Sequence, residues 1–404
     1  MGMTFDVGGG CSNLPDIVRL QQFKSLPSIK FEYRRRLMNS GLSKLKAFLT
    51  TTLSCIFALT IFSNFHEASS ADLNKYVGVD FTAEFVIGTY EDDTTTDSTE
   101  NNPEMRAMGE LHVDGKFKAD NGLTIGGEIE LDADNDGTNN IDEIYMYVSG
   151  YFGRIEAGDQ DGAGDKFSWD VPSVGFGQVG GDWNTGDDGF AGINPVTEIG
   201  ESSDDTKITY YLPKMGGLKV GISWAPLDDD GGSATLARGQ EQDQIEAGAE
   251  YSVKVGESSA TINAAYYSAE DNDANDEDHS NWGLGLTLET GPITFGIGHV
   301  DNGDSGRAPG ENVEGTTIGI AYETGPWGFG ASYNVTEFDA AASQDQTVWS
   351  IGGAYTFEPS VDGKNPLTAL LGVDLTVFDR DDSNNGATQG DNGWVAIGYL
   401  ALEF

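Results

Sequence analysis

Beyond residue 71 this 404-residue chain repeats one arrangement, in which apolar side chains recur at every second position within short segments separated by acidic and glycine-rich clusters. A period of two belongs to strands, whose successive side chains point to opposite faces. Over Glu104–Ala119 the odd positions Ala107, Gly109, Leu111, Val113 and Phe117 are small or apolar. The even positions Glu104, Arg106, Glu110, His112, Asp114, Lys116 and Lys118 are polar. One face suits hydrocarbon and the other, carrying both signs of charge, suits an aqueous interior better than the outside of a soluble sandwich. The last eight residues, Ile397 to Phe404, repeat the pattern and stop on an aromatic side chain.

Sixteen such segments can be counted: 76–90, 104–118, 123–132, 141–150, 152–160, 206–213, 218–226, 243–254, 259–270, 281–290, 293–301, 314–324, 328–338, 346–358, 367–378 and 393–404. Sixteen is even, as a closed single-chain antiparallel barrel requires, so the expected fold class is all-β, a 16-stranded transmembrane barrel. Short joints such as Asn121-Gly122, Gly216-Gly217, Gly291-Pro292 and Gly325-Pro326 alternate with long acidic ones at 91–103, 227–242, 271–280, 302–313 and 380–392. Short turns belong on the periplasmic side and long loops outside. Trp224, Trp282, Trp327, Trp349, Trp394 and Tyr399 are expected near strand ends, where aromatic girdles meet lipid headgroups.

After Phe65 no apolar run approaches the roughly 18 residues of a spanning helix. Upstream, Lys44 and Lys46, the apolar run Leu53–Phe62 and the small residues Ala68–Ala71 read as an export signal over 38–71, cut after Ala71. Residues 1–37 fit no such signal and read as upstream read-through. Arg34-Arg35-Arg36 does not make a twin-arginine signal, since that route carries folded cargo and a barrel stays unfolded until it meets its membrane. Both cysteines, Cys11 and Cys55, fall in the removed part, which excludes a disulfide framework and a thiolate metal site. Residues 72–404 hold 14 Lys and Arg against 62 Asp and Glu, so nucleic acid is excluded as a partner. This acidity suits either solvated loops or a surface that gathers cations.

One joint breaks the pattern. Residues 161–205 are far longer than an ordinary loop, and the aromatic and aliphatic side chains Phe167, Trp169, Val171, Val174, Phe176, Val179, Trp183, Phe190 and Ile193 argue for packing, because disorder selects against them. The segment is expected to fold inward.

Ile141–Gln160, Lys207–Pro213 and Gly217–Pro226 resemble the fourth to seventh strands of the alphaproteobacterial general porins. That resemblance implies an outer-membrane, homotrimeric diffusion pore for small hydrophilic solutes, set among lipid and lipopolysaccharide. It also implies insertion by the barrel-assembly machinery, with Phe404 as the assembly signal. The third external loop, 161–205 by position, then narrows the lumen. Its acids Asp161, Asp165, Asp170, Asp182, Asp187 and Asp188 are the implied acidic side of the constriction. Arg106, Lys118, Arg154 and Lys207 are the candidate basic wall, a set thin enough to point toward cation preference, as rings of Asp or Glu do in other channels.

Asp132–Glu143 also satisfies the spacing of a calcium-binding EF-hand loop, with Asp132, Asp134, Asp136 and Glu143 as ligands and Gly137 at the turn. Strands rather than helices flank it, so an ordinary acidic hairpin competes with a Ca2+ site. No cofactor is required. An enzyme is disfavoured, because His112, His279 and His299 lie in no triad or metal-ligand spacing. A substrate-specific channel using Tyr145, Tyr147, Tyr211 and Tyr267, and a structural barrel that gathers divalent ions, are the other rivals.

Overall fold

The computed structural model describes residues 76–92, 103–132, 141–175, 179, 195–228, 241–273, 275–339, 345–359, 367–380 and 392–404. The expected read-through and export segments over 1–71, with the cut after Ala71, lie outside the described residues, as do Asp134, Asp136, Asp182, Asp187 and Asp188.

Sixteen strands form the described part. They are β1 Val77–Asp92, β2 Glu104–Lys118, β3 Thr124–Asp132, β4 Ile144–Gly150, β5 Gly153–Asp159 and β6 Thr206–Tyr211. There follow β7 Leu218–Leu227, β8 Glu241–Val255, β9 Ser258–Asp271, β10 His279–Thr290 and β11 Ile293–Gly303. The last are β12 Val313–Thr324, β13 Trp327–Phe338, β14 Gln346–Phe357, β15 Thr368–Arg380 and β16 Asn392–Glu403. Each pairs antiparallel with its neighbours in the chain, and β1 pairs with β16 to close the barrel. Closure leaves each of these strands paired on both sides, with no open edge among them. At the seam the Phe404 amide donates to the Phe81 carbonyl at 2.9 Å, and the two rings stack with centroids 6.1 Å apart.

Alternation sorts the side chains. Phe85, Met105, Leu284, Phe295, Ile320, Phe329, Ile351, Leu371 and Val373 point outward and are exposed. In water so continuous an apolar surface would drive association, whereas in a bilayer it is the lipid contact. Trp282, Trp327 and Trp349 share that face. Tyr399 does not: it is 3% exposed and packs inside the barrel against Val86, Val348, Phe378, Val395 and Ile397. Its place in an aromatic girdle is therefore corrected. It lies on the inward-facing row of β16 with Val395 and Ile397, while Leu400 is on the outer row.

The turns follow from backbone chemistry. Gly291 and Gly325 each adopt φ 56°, and a Cβ there would meet nothing within 4 Å, so conformation rather than space calls for glycine. In β8 the register slips between Gln242 and Ile245, where Asp243 has φ 54°, making a bulge that bends this strand.

Candidate functional site

The connection between β5 and β6 runs from residue 160 to 205, and its described parts bind the inward rows of strands far along the chain. The Ala163 amide donates to Ser223 Oγ on β7 at 2.7 Å, and the Trp169 indole N–H donates to Thr287 Oγ1 on β10 at 2.9 Å. Val179 N donates to Ser332 Oγ on β13 at 3.2 Å. On the returning leg Val196 N donates to Thr336 Oγ1 at 3.0 Å and Asn334 Nδ2 donates to Val196 O at 3.0 Å. Gly200 N donates to Asn302 Oδ1 at 3.2 Å.

Glycine makes the room for this path. A Cβ on Gly285 or Gly298 would fall 1.9 or 2.0 Å from the Trp169 ring, and one on Gly319 would meet Val171 at 2.5 Å. Gly328 would meet Val174 at 2.4 Å, and Gly315 the Val196 carbonyl at 1.9 Å. The glycines of β10–β13 that face inward are thus the negative image of the side chains lying over them. Farther round, Val179 completes the apolar cluster of Val86, Val348, Phe378, Val395, Ile397 and Tyr399.

Both legs converge on one carboxylate. Glu246 of β8 is 1% exposed; its Oε2 accepts the Gly164 and Asp165 amides at 2.8 and 3.4 Å. Its Oε1 accepts the Ser202 amide at 2.9 Å and the Ser202 hydroxyl. Burying a charged carboxylate is costly unless its lone pairs are filled, and here four donors fill them.

The acids of the connection crowd one another. Burial, then the charge of Asp161, raises the Asp165 carboxyl above its ordinary range, while burial and hydrogen-bonded Asp165 raise Glu201 further. The two carboxyls, hydrogen-bonded to each other, thus face one another between the two legs. Burial, reinforced by Asp142, Asp161 and Glu143, pushes Asp204 up to about 7, and burial raises Asp170.

Three of the four basic candidates are engaged. Arg106 Nε pairs with Glu104 at 3.0 Å, and Arg154 pairs with buried Glu156 and lies 3.6 Å over the Tyr147 ring. Lys116 and Lys219 meet Asp114 and Glu250 at 3.9 and 2.7 Å. Lys207 is 2% exposed and donates to the carbonyls of Gln160, Ser202 and Ser203, so its ammonium braces the base of the connection and does not face water. Lys118 ends β2, exposed. Tyr145 and Tyr267 are buried and spend their hydroxyls on Glu128 and on Glu241 with Gln244.

β2 and β3 carry a track of carboxylates around His112. Its Nε2 is 3.1 Å from Glu110, and its Nδ1 is 3.2 Å from Glu130 and 3.7 Å from Glu128. The two described ends of the calcium-type loop join different groups of carboxylates. Asp132 groups with Glu110 and Asp142, whereas buried Glu143 groups with Asp161 and Asp204 and accepts the Asp161 amide at 2.9 Å.

Glu246, Ser202 and the inward glycines of β10–β13 were not among the sequence candidates. Alternation alone places Glu246 inward, but a clamped carboxylate and a wetted one look alike in sequence.

A closed barrel with a lipid-facing outer row and a charged interior is a transmembrane β-barrel of the channel-forming kind. The model of the family described as Gram-negative porin matches residues 54–363, and the chain belongs to that family. Its place is the outer membrane, where such barrels form channels. No curated protein matches the sequence. Among solved structures, an engineered variant of the Rh. blastica porin is similar at 14% identity and TM-score 0.53. A triple mutant of Rhodopseudomonas blastica porin is similar at 15% identity and TM-score 0.52. Each likeness covers 81% of this chain and 100% of the other. At this identity the likeness shows the fold: a closed antiparallel barrel of sixteen strands.

Proposed function

We propose that residues 72–404, exported by the segment 38–71, form a water-filled, cation-preferring pore for passive diffusion of small hydrophilic solutes and ions. In this reading 161–205 is its constriction. The observation that carries the ion preference is the fate of the cations. Arg106, Arg154, Lys116 and Lys219 each sit against a carboxylate, and Lys207 is buried on carbonyls. The three carboxylates Glu110, Glu128 and Glu130 outnumber their one basic neighbour, His112, and a wall with carboxylates in excess lowers the energy of a cation in the lumen. Three such barrels assemble in the membrane among lipid and lipopolysaccharide, inserted by the assembly machinery that reads Phe404.

Planar-bilayer recording tests this. The expected result is large, unsaturated conductance in triplet steps, with a zero-current potential of cation sign across a KCl gradient. A chloride sign overturns the ion preference. Deleting part of 175–190 is expected to widen the pore, and unchanged conductance refutes the constriction. A substrate-specific channel would saturate with one solute. Of the four tyrosines that alternative would use, Tyr145 and Tyr267 are buried with their hydroxyls bonded to Glu128, Glu241 and Gln244.

A further inference from the structure

We infer that Glu246 is the positioning residue that sets the pore's aperture, by clamping the outgoing and returning legs of the 161–205 connection to one point on β8. This rests on the reading of that connection as the constriction.

The connection leaves the wall after β5 and re-enters it at β6, so its legs start as neighbours. Packing against glycines holds the far part by shape, but shape complementarity resists sliding weakly compared with directed bonds. The Glu246 carboxylate supplies direction. One oxygen takes Gly164 and Asp165 of the outgoing leg, the other takes Ser202 of the returning leg, and both lie out of water. Hydrogen bonds to an ionised acceptor are the strong ones, and leaving buried N–H groups without an acceptor carries the full desolvation penalty.

The clamp also explains two glycines in the outgoing leg. A Cβ at position 162 would fall 1.8 Å from Glu246 Oε2, and one at 164 would fall 2.9 Å from it. The backbone must come this close to present its N–H groups, which makes Gly162 the complement of Glu246. Gln244, two residues earlier on the same inward row, donates to Asp205, so the base of the returning leg is tied to β8 as well. Lys207 gathers the carbonyls of Gln160, Ser202 and Ser203 beside it, which places donors and acceptors of both legs within one ring of side chains.

The test attacks the clamp from both sides in the full-length exported barrel. Glu246→Gln replaces one acceptor oxygen by a donor, and Gly162→Ala leaves the carboxylate intact but pushes the leg off it. Both variants are purified, their barrel content checked by circular dichroism, and recorded in planar bilayers. Each is expected to raise the frequency of resolved conductance fluctuations about tenfold, as losing one charge-assisted hydrogen bond shifts a held-to-released equilibrium. Each is also expected to move the zero-current potential in the same direction and to admit larger neutral sugars. Glu246→Asp keeps the charge but shortens the reach, and should fall between wild type and Glu246→Gln. Serine 202 offers a milder cut if Glu246→Gln does not fold: Ser202→Ala removes one donor and should reproduce the fluctuations in part. Quiet channels of unchanged potential and sugar cut-off in these variants overturn the clamp. If a deletion within 175–190 still widens the pore in that case, the constriction reading stands without Glu246; if neither manipulation alters conductance, the constriction reading itself falls.

Discussion

Two stretches of inner wall obey the same alternation and carry opposite side chains. On β2 and β3 the inward positions include Arg106, Glu110, His112, Asp114, Glu128 and Glu130, and on β10–β13 they include Gly283, Gly285, Gly298, Gly319 and Gly328. In the first stretch the charges answer one another, with His112 between Glu110 and Glu130 and Arg106 beside Glu104. The second lies under Ile199, Trp169, Val171 and Val174, and the space a side chain would need is already filled. What a barrel strand places on its inward row is therefore decided by what covers it, not by the strand.

The contrast can be broken first at its largest contact. Trp169→Ala empties the slot over Gly285 and Gly298 and should cost about 3–5 kcal/mol of loop packing. Limited proteolysis should then cut within 161–205 while the barrel stays folded; a protected connection would mean that Trp169 is not the anchor. Next, Gly298→Ala forces a Cβ 2.0 Å from that ring and should cost about 1–3 kcal/mol. Its control is Gly115→Ala on the outer row of β2, where the nearest atom is 3.9 Å away and the change should stay within about 0.5 kcal/mol. Equal melting shifts for the two glycines would sink the idea that coverage chooses the residue.

On the bare wall the prediction inverts. Glu110→Gln with Glu130→Gln should leave the melting temperature nearly unchanged and shift the zero-current potential toward zero, because each substitution removes a negative charge yet leaves an amide oxygen to meet His112. The smallest effect is in pH. Asp204, raised from 3.8 to about 7, and the Asp165 and Glu201 carboxyls, both raised, bind protons more tightly in the folded connection than in an unfolded chain. Their contribution to stability is full below pH 4 and is lost as the pH rises through about 7 for Asp204. Cation preference should move the other way, weakening as the pH falls from 8 to 5. A zero-current potential flat across that range would show that these acids do not face the current path.

The strand count and the pairing of short and long joints were legible because each depends on local alternation and turn chemistry, and segment 104–118 matches β2 to the residue. The direction of each row was legible too, as Met105 and Phe117 outside and Arg106 and His112 inside illustrate. The contacts of the long connection were not. Trp169 meets Thr287 and Val179 meets Ser332 across separations of 118 and 153 residues, and nothing in either stretch names its partner. Lys207 shows the same limit: alternation points it inward, yet only the fold reveals that the backbone of 160 and 202–203 covers it. Tyr399 was placed by residue type when its row decided the matter.

Those long separations carry a consequence for biogenesis. The ledge that receives Trp169, Val179 and Val196 is built from β10 through β16, which leave the ribosome after the segment that will rest on it. The far part of the segment therefore has no seat until those later strands are in place, whereas its two legs meet Ser223 and Glu246 on β7 and β8, which are made sooner.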